Sequence, residues 1–205
     1  MSLDIVWLGH AGFRVSNDVT IYVDPWKLKE PSPPQADLVL ITHSHFDHLS
    51  SEDVARIQGP ETVILAPGDC VGSLSGATRA VRAGEAFEVK GVSIEVVPAY
   101  NIDKDFHPRE RNWVGYVFTV EGKHIYHPGD TDLIPEMDSI RADIALLPVS
   151  GTYVMTATEA AEAAKRIQPD EVIPMHYGDI VGTEEDARTF SRLWSGKTRI
   201  MQPKH

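Results

Sequence analysis

Only one cysteine, Cys70, stands in the 205 residues. No internal disulfide can form, which points to a reducing compartment. Positive charge is also scarce: 19 Lys and Arg against 30 Asp and Glu leave a net charge of −11. Such a chain repels phosphate backbones and anionic bilayers, so neither nucleic acid nor a membrane is expected as a partner. Long apolar runs are missing; the stretch 144–149 falls far short of a bilayer span. Met1-Ser2-Leu3-Asp4 carries no basic, apolar leader and enters a strand-like run at once. A cytoplasmic location follows as the expectation. No Gly-x-Ser-x-Gly elbow, no P-loop and no Gly-x-Gly-x-x-Gly after a strand occurs, which removes support for serine-hydrolase and nucleotide-binding chemistry. Cys70 has no histidine nearby in sequence and reads as a small buried residue.

What is present is an ordinary folded composition, 42% hydrophobic and 24% charged, with a length that suggests a single domain over 1–205. Short β-branched and aromatic runs at 4–8, 13–15 and 19–23 alternate with Gly9, Gly12 and Asn17-Asp18 and read as strands. Pro31, Pro33 and Pro34 mark a loop. The run 37–42, Asp-Leu-Val-Leu-Ile-Thr, reads as a strand buried on both faces. Ser50 or Ser51 can cap a short helix carrying Val54, Ala55 and Ile57, stopped at Gly59-Pro60. A strand at 62–66 follows, then a hairpin over 85–97 turning at Lys90-Gly91. A second hairpin pairs 113–120 with 124–127 around Glu121-Gly122-Lys123, and 142–147 is a buried strand. Helices over 158–167 and 183–194 flank a strand at 171–174. About ten strands and four helices in this order predict two packed sheets with helices outside, an α/β sandwich rather than a doubly wound parallel sheet.

The strongest chemical signal is Thr42-His43-Ser44-His45-Phe46-Asp47-His48. Three histidines and a carboxylate crowd into six residues just after a buried strand. Imidazole with carboxylate suits zinc, manganese or iron(II). A turn there lets His43 and His45 face one position while Asp47 and His48 reach a second, with two metals about 3.5–4 Å apart. A solvated histidine-rich loop is the plain alternative.

These residues resemble the metallo-β-lactamase fold superfamily, whose His-x-His-x-Asp-His signature is complete at His43, His45, Asp47 and His48. Trp7-Leu8-Gly9-His10-Ala11-Gly12-Phe13, Val23-Asp24-Pro25, Tyr126-His127-Pro128-Gly129-Asp130-Thr131 and Ile173-Pro174-Met175-His176-Tyr177 extend the likeness over nearly the whole chain. The set is most similar to small, single-domain metal-dependent hydrolases related to the L-ascorbate-6-phosphate lactonases. The resemblance implies a four-layer αβ/βα sandwich with two divalent metal ions at one edge of the facing sheets, zinc foremost, with manganese or iron as alternatives. It assigns His43 and His45 to the first metal, Asp47, His48 and His176 to the second, and Asp130 to a bridge between them. Related hydrolases place a further first-site histidine after Pro-Ala-x, where this chain has Asn101. His107, six residues on, is a candidate replacement or a substrate contact. His10 and Asp24 are expected behind the ligands, Asp24 accepting the other N–H of a metal-binding histidine. His127 reads as a core or supporting residue, and His124 and His205 as surface.

The activity so implied is hydrolysis by a metal-activated hydroxide, since a bound divalent cation brings the pKa of water from about 16 to near 7. Asp47 would accept a proton and orient the nucleophile. Lys104, Arg109 and Arg111 form a basic group in an acidic chain; they suggest an anionic ester, lactone or phosphodiester, or else pair with Asp103, Asp105 and Glu110. Tyr153 and Tyr177 are candidates for the pocket wall. A nuclease-type phosphodiesterase and a non-hydrolytic binder with a degenerate first site are the alternatives; members using di-iron carry Glu in place of His45. A small-molecule substrate is expected, and homo-oligomerisation is left open.

Overall fold

The computed structural model describes residues 3–204. The first sheet runs β1 (Asp4–Gly9), β2 (Gly12–Ser16), β3 (Thr20–Val23), β4 (Ala36–Leu40), β5 (Gln58–Ala66) and β6 (Ala77–Ala80), neighbours in space as in sequence. β1 to β3 form an antiparallel meander, and β3 to β6 are parallel. The second sheet is built from β7 (Ala86–Val89), β8 (Val92–Pro98), β9 (Val114–Val120), β10 (Lys123–His127), β11 (Ile144–Pro148), β12 (Glu171–Met175) and β13 (Lys197–Thr198). Its first four strands are antiparallel, and β10 to β13 are parallel.

The hairpin turns explain the antiparallel part. Lys90 and Gly91 have φ of 54° and 75°, and Glu121 and Gly122 have 52° and 71°. Two successive left-handed residues are what the favoured two-residue hairpin turn requires. β4 shows why the sheets stack. Leu38 and Leu40 enter the core between the sheets with Phe13 and Phe118. Val39 and Ile41 face the other way, into a cluster with Val54 and Ile57 of α1 (Ser51–Ile57). A period of two thus buries both faces of one strand. On the outer side of the second sheet, α2 (Ala157–Ile167) meets β11 and α3 (Glu184–Leu193) meets β12. The layers are therefore helix, sheet, sheet, helices, the αβ/βα sandwich that the sequence predicts.

Three details differ from expectation. The described residues hold three α-helices, not four; the other helical turns are short 3₁₀ segments, Val71–Ser73, Arg109–Arg111 and Pro135–Ser139. Strands β6 and β13 were not anticipated, because β6 is a largely exposed edge with no apolar alternation and β13 has two residues. The helix stops before Gly59-Pro60 as expected, at Ile57, but β5 begins at Gln58 rather than 62 and runs through that pair. The register against β4 slips there, from Ala36 opposite Gln58 to Leu38 opposite Val63, and an irregularity of that kind accommodates proline.

One side chain ties the sheets together beside the histidine-rich loop. Tyr116 of β9, fully buried, donates its hydroxyl to the Ile41 carbonyl at 2.8 Å, with the Leu65 carbonyl at 3.3 Å. Tyr116→Phe removes this donor at nearly constant volume and is expected to lower the unfolding free energy by about 1–2 kcal/mol. Urea titration should show a lower midpoint with an unchanged slope; an unchanged midpoint would mean that the bond contributes nothing.

Candidate metal centre

The residues of interest all follow the C-terminal ends of strands at one edge of the sandwich. His10 follows β1, Asp24 follows β3, and the loop 43–48 follows β4. Asn101 and His107 come after β8, Asp130 after β10, Ser150 after β11 and His176 after β12. His10, Asp24 and His176 have positive φ, 49°, 44° and 61°, a costly conformation for residues with a Cβ that concentrates at functional sites. Gly129 has φ +66°, and a Cβ there would lie 2.8 Å from the Cβ of Thr42. Only glycine lets the Asp130 turn close on the histidine loop. The loop itself curls because the His48 and Leu49 amides both donate to the His45 carbonyl.

Two clusters result. His43, His45 and His107 bring one nitrogen each within 4.8 Å of one another, and so do the ligand atoms of His10, Asp47, His48 and His176. Asp130 lies between: its Oδ2 is 3.0 Å from His176 Nε2, 3.3 Å from His107 Nε2 and 4.0 Å from His43 Nε2. Its Oδ1 is 3.2 Å from His48 Nε2. His43 Nε2 faces His45 Nδ1 at 3.2 Å.

The far nitrogen of most rings is already engaged. His48 Nδ1 meets Asp24 Oδ2 at 2.7 Å, His43 Nδ1 meets Thr42 Oγ1 at 2.9 Å, and His176 Nδ1 meets Ser150 Oγ at 3.0 Å. His107 Nδ1 meets Asn101 Oδ1 at 3.0 Å, and the same oxygen accepts the His107 backbone N–H. Asn101 also donates its amide to the Tyr153 carbonyl. Both ends of Asn101 are therefore spent behind His107, and it is His107 that reaches His43 and His45. His10 Nε2 is 2.9 Å from Asp47 Oδ2. Asp24 also accepts from the Thr42 amide and hydroxyl.

The electrostatics follow from burial. The fully enclosed His43 is pushed well below the usual imidazole value by desolvation, with His48 adding repulsion. Desolvation likewise lowers His45 and His10. Burial would also lower His48, but the carboxylates of Asp130 and Asp24 outweigh it and hold His48 well above. Burial alone would raise Asp130, yet His176 and His48 hold it well below the usual carboxylate range. Asp47 is lowered in the same contest between burial and its bond from His10.

Other candidates are placed elsewhere. His127 is buried with Nε2 on the Ala11 carbonyl, away from the clusters. His124 pairs with Asp143 at the surface, and His205 lies outside the described residues. Lys104 pairs with Asp132 and Asp103, Arg109 pairs with Glu136, and the Arg111 guanidinium lies over the Trp113 ring. Tyr153 borders a cleft at the clusters, whereas Tyr177 packs on Trp7 and burial raises its hydroxyl to about 12. Sequence reasoning did not single out Thr42 or Ser150 as partners of ring nitrogens. It also missed Trp113, whose ring packs on His43 and His45 at 5.0 and 4.7 Å between centroids and whose N–H donates to Asp69. A hydroxyl directly preceding a histidine was the one available signal for Thr42.

Comparison with known proteins shows the family and the fold. The family profile of the Beta-lactamase superfamily domain matches residues 4–176. A UPF0173 metal-dependent hydrolase of Methanopyrus kandleri is 34% identical over 92% of this chain and 90% of its own length. One from Pyrococcus horikoshii is 32% identical over 96% and 94%. Among solved structures, a protein from Parabacteroides distasonis superposes with TM-score 0.87 at 33% identity, covering 98% of this chain and 94% of that one. The metallo hydrolase Igni18 of Ignicoccus hospitalis gives TM-score 0.79 at 27% identity, covering 99% and 96%. No helix among the described residues is long and apolar enough to cross a membrane.

The buried imidazoles make stability depend on pH when no metal is bound. His10, His43, His45 and His127 sit below their ordinary value. The unfolded chain takes up protons near pH 6.5 that the folded chain refuses, so their contribution falls as pH falls. His48 has the opposite sign: its raised value stabilises fully below the unfolded pKa, and that contribution is lost as pH rises through the folded value. His43, which refuses its proton over this whole range, sets the sign, and His10, His45 and His127 add to it against His48. Chelator-treated protein should therefore unfold at lower urea at about pH 5.5 than at about pH 7. An equal or higher midpoint at the acid pH would contradict the neutral imidazoles.

Proposed function

This chain belongs to the Beta-lactamase superfamily domain family, and on that premise we propose that it hydrolyses a small ester, lactone or phosphodiester at a centre holding two divalent cations, zinc foremost. It is a metal-dependent hydrolase of the metallo-β-lactamase superfamily; the number and identity of the cations, the substrate, the roles of residues and a cytoplasmic location are the further steps of this reading.

The observation that carries it is a set of buried polar atoms without partners. His48 Nε2, His107 Nε2 and Asp130 Oδ1 have no hydrogen bond, although leaving such atoms unmade costs about 1–3 kcal/mol each. All three belong to the converging clusters, and the opposite nitrogens of the two rings are fixed on Asp24 and Asn101. Imidazole nitrogens and carboxylate oxygens aimed at common points are the donors that zinc, manganese and iron(II) accept. The residues fit the group. His43, His45 and His107 would hold one cation, Asp47, His48 and His176 the other, with Asp130 shared. With three imidazoles grouped in the first cluster, a site degraded at Asn101 loses its main support.

Divalent cations bound there would supply an ionised water nucleophile near neutral pH and neutralise the oxyanion that develops on the substrate. The protein's own work is positioning. Asp24, Thr42, Asn101 and Ser150 fix the ring tautomers so that a free nitrogen faces inward. His10 bonds to Oδ2 of Asp47 and so orients a carboxylate that would both hold a cation and accept a proton from the attacking water. Asp47 is ionised at neutral pH, as that role requires. Trp113 covers one side of His43, His45 and His107 and keeps water from competing there.

Metal analysis of purified protein is expected to return about two equivalents, with turnover of lactone or ester substrates lost on chelation and restored by zinc or manganese. His43→Ala should lose turnover and metal together. Asn101→Ala should weaken zinc binding about 10–100-fold in a dye competition, although Asn101 touches no metal in this reading. Chelator-indifferent turnover, or His43→Ala with unchanged zinc affinity, overturns the proposal.

A further inference from the structure

The described chain leaves five large hydrophobic side chains exposed: Phe46 at 69%, Ile102 at 62%, Phe106 at 48%, Leu193 at 46% and Ile180 at 37%. Three of the five, Phe46, Phe106 and Ile180, line one cleft of ≈ 320 Å³, within the range of about 300–1,000 Å³ for small-molecule sites. The floor of that cleft is His45, Asp47, His107 and Asp130. Scattered surface hydrophobics need no explanation, but a concentration of them over one polar floor does.

The rim is held in place. Phe46 meets Trp26 edge-on at 5.9 Å, and Phe106 meets Tyr153 edge-on at 4.5 Å. Two aromatic pairs thus flank the entrance, with Ile180 on the same rim. Neither lysine nor arginine lines the cleft. The basic residues that suggested an anionic substrate are turned elsewhere: Lys104 to Asp132, Arg109 to Glu136 and Arg111 to the Trp113 face. A charged substrate group at the rim would lose water and gain no counter-ion.

Resting on the hydrolytic reading above, we infer that the substrate is an uncharged carboxylic ester or lactone whose aliphatic or aromatic group packs between Phe46, Phe106 and Ile180. Water adds across the acyl C–O bond; the acid keeps the hydroxyl oxygen, and the alcohol leaves with the other proton. The apolar rim selects for the group beside the scissile bond while the polar floor meets the carbonyl.

Two measurements separate this inference from its premise. The first uses zinc-loaded enzyme with p-nitrophenyl acetate, butyrate and hexanoate, and with the ω-carboxylate counterpart of the hexanoate. kcat/KM should rise with chain length, up to about four-fold per methylene, and the carboxylated ester should fall at least about ten-fold below its neutral partner. Phe106→Ala should flatten the chain-length dependence. Ile180→Lys should raise the carboxylated ester relative to the neutral one.

The second measurement is binding to metal-free protein of octanamide and its ω-carboxylate counterpart, followed by tryptophan fluorescence, since Trp26 touches the rim. Octanamide should bind at least about ten-fold tighter, and Phe106→Ala should erase the difference. Flat chain-length dependence with equal or better binding of the carboxylates overturns the inference while hydrolysis stands. Selective octanamide binding with no ester turned over supports the apolar cleft and counts against the hydrolytic premise.

Discussion

Everything in this molecule is organised around one buried carboxylate. Asp130 is buried at the meeting point of His43, His48, His107 and His176. An isolated carboxylate in such a place would take a proton rather than stay charged. It stays charged because imidazoles from three separate stretches of chain surround it. Each of those imidazoles is in turn held at its other nitrogen by a hydroxyl, an amide or Asp24. Remove the surroundings and the charge is untenable; remove the charge and His48 loses the neighbour that most raises its proton affinity.

The sandwich exists to make that convergence cheap in conformational terms. Loops after seven strands drawn from both sheets meet at one edge, and no single sheet could supply them. The sheets are registered against each other by packing such as Leu38 and Leu40 against Phe118, and by cross-sheet bonds such as Tyr116 to Ile41 and the Val114 amide to the Thr42 carbonyl. A rigid frame of this kind can hold His10, Asp24 and His176 at positive φ, a strain of order 1–3 kcal/mol each that a mobile loop would simply relax. His48 Nε2, His107 Nε2 and Asp130 Oδ1 make no hydrogen bond and meet only at ion-pair distance within the cluster. A bound cation that satisfies them stabilises the fold by the same free energy with which it binds.

The alternation of Leu38, Val39, Leu40 and Ile41, the Lys90-Gly91 and Glu121-Gly122 turns and the helix at 157–167 could be read before any coordinates, because each is a local pattern with a local cause. The edge strands β6 and β13 could not, since they carry no apolar period and exist only because a neighbouring strand offers free backbone groups. The same division runs through the candidate site. His43, His45, Asp47 and His48 declare themselves by spacing within six residues. The pairing of Asn101 with His107 does not: it depends on how the 101–107 loop folds back, with the Asn101 amide donating to the His107 carbonyl. Ser150 and Trp113 are invisible for the same reason, being linked to the histidines only through tertiary contact. The basic residues of that loop misled in the opposite direction. Sequence shows three cations near the site, and only the structure shows that each is answered within the protein.

Charge is therefore unevenly shared across the centre, and this has chemical weight. The cluster of His43, His45 and His107 holds imidazoles alone, backed by a hydroxyl on His43 and a carboxamide on His107. The cluster of Asp47, His48 and His176 contains one carboxylate and is backed by a second, Asp24. Asp130 leans on both. A carboxylate behind an imidazole makes it a stronger donor than an amide does, so in the proposed reading the two halves would differ in their affinity for a cation. Both halves reach the apolar cleft: His45 and His107 line it with Phe46 and Phe106, and so do Asp47 and Asp130. In the proposed reading, a cation held by the imidazole-only half would be the more electron-deficient, and a carbonyl entering the cleft would meet it opposite Asp47, the proposed proton acceptor.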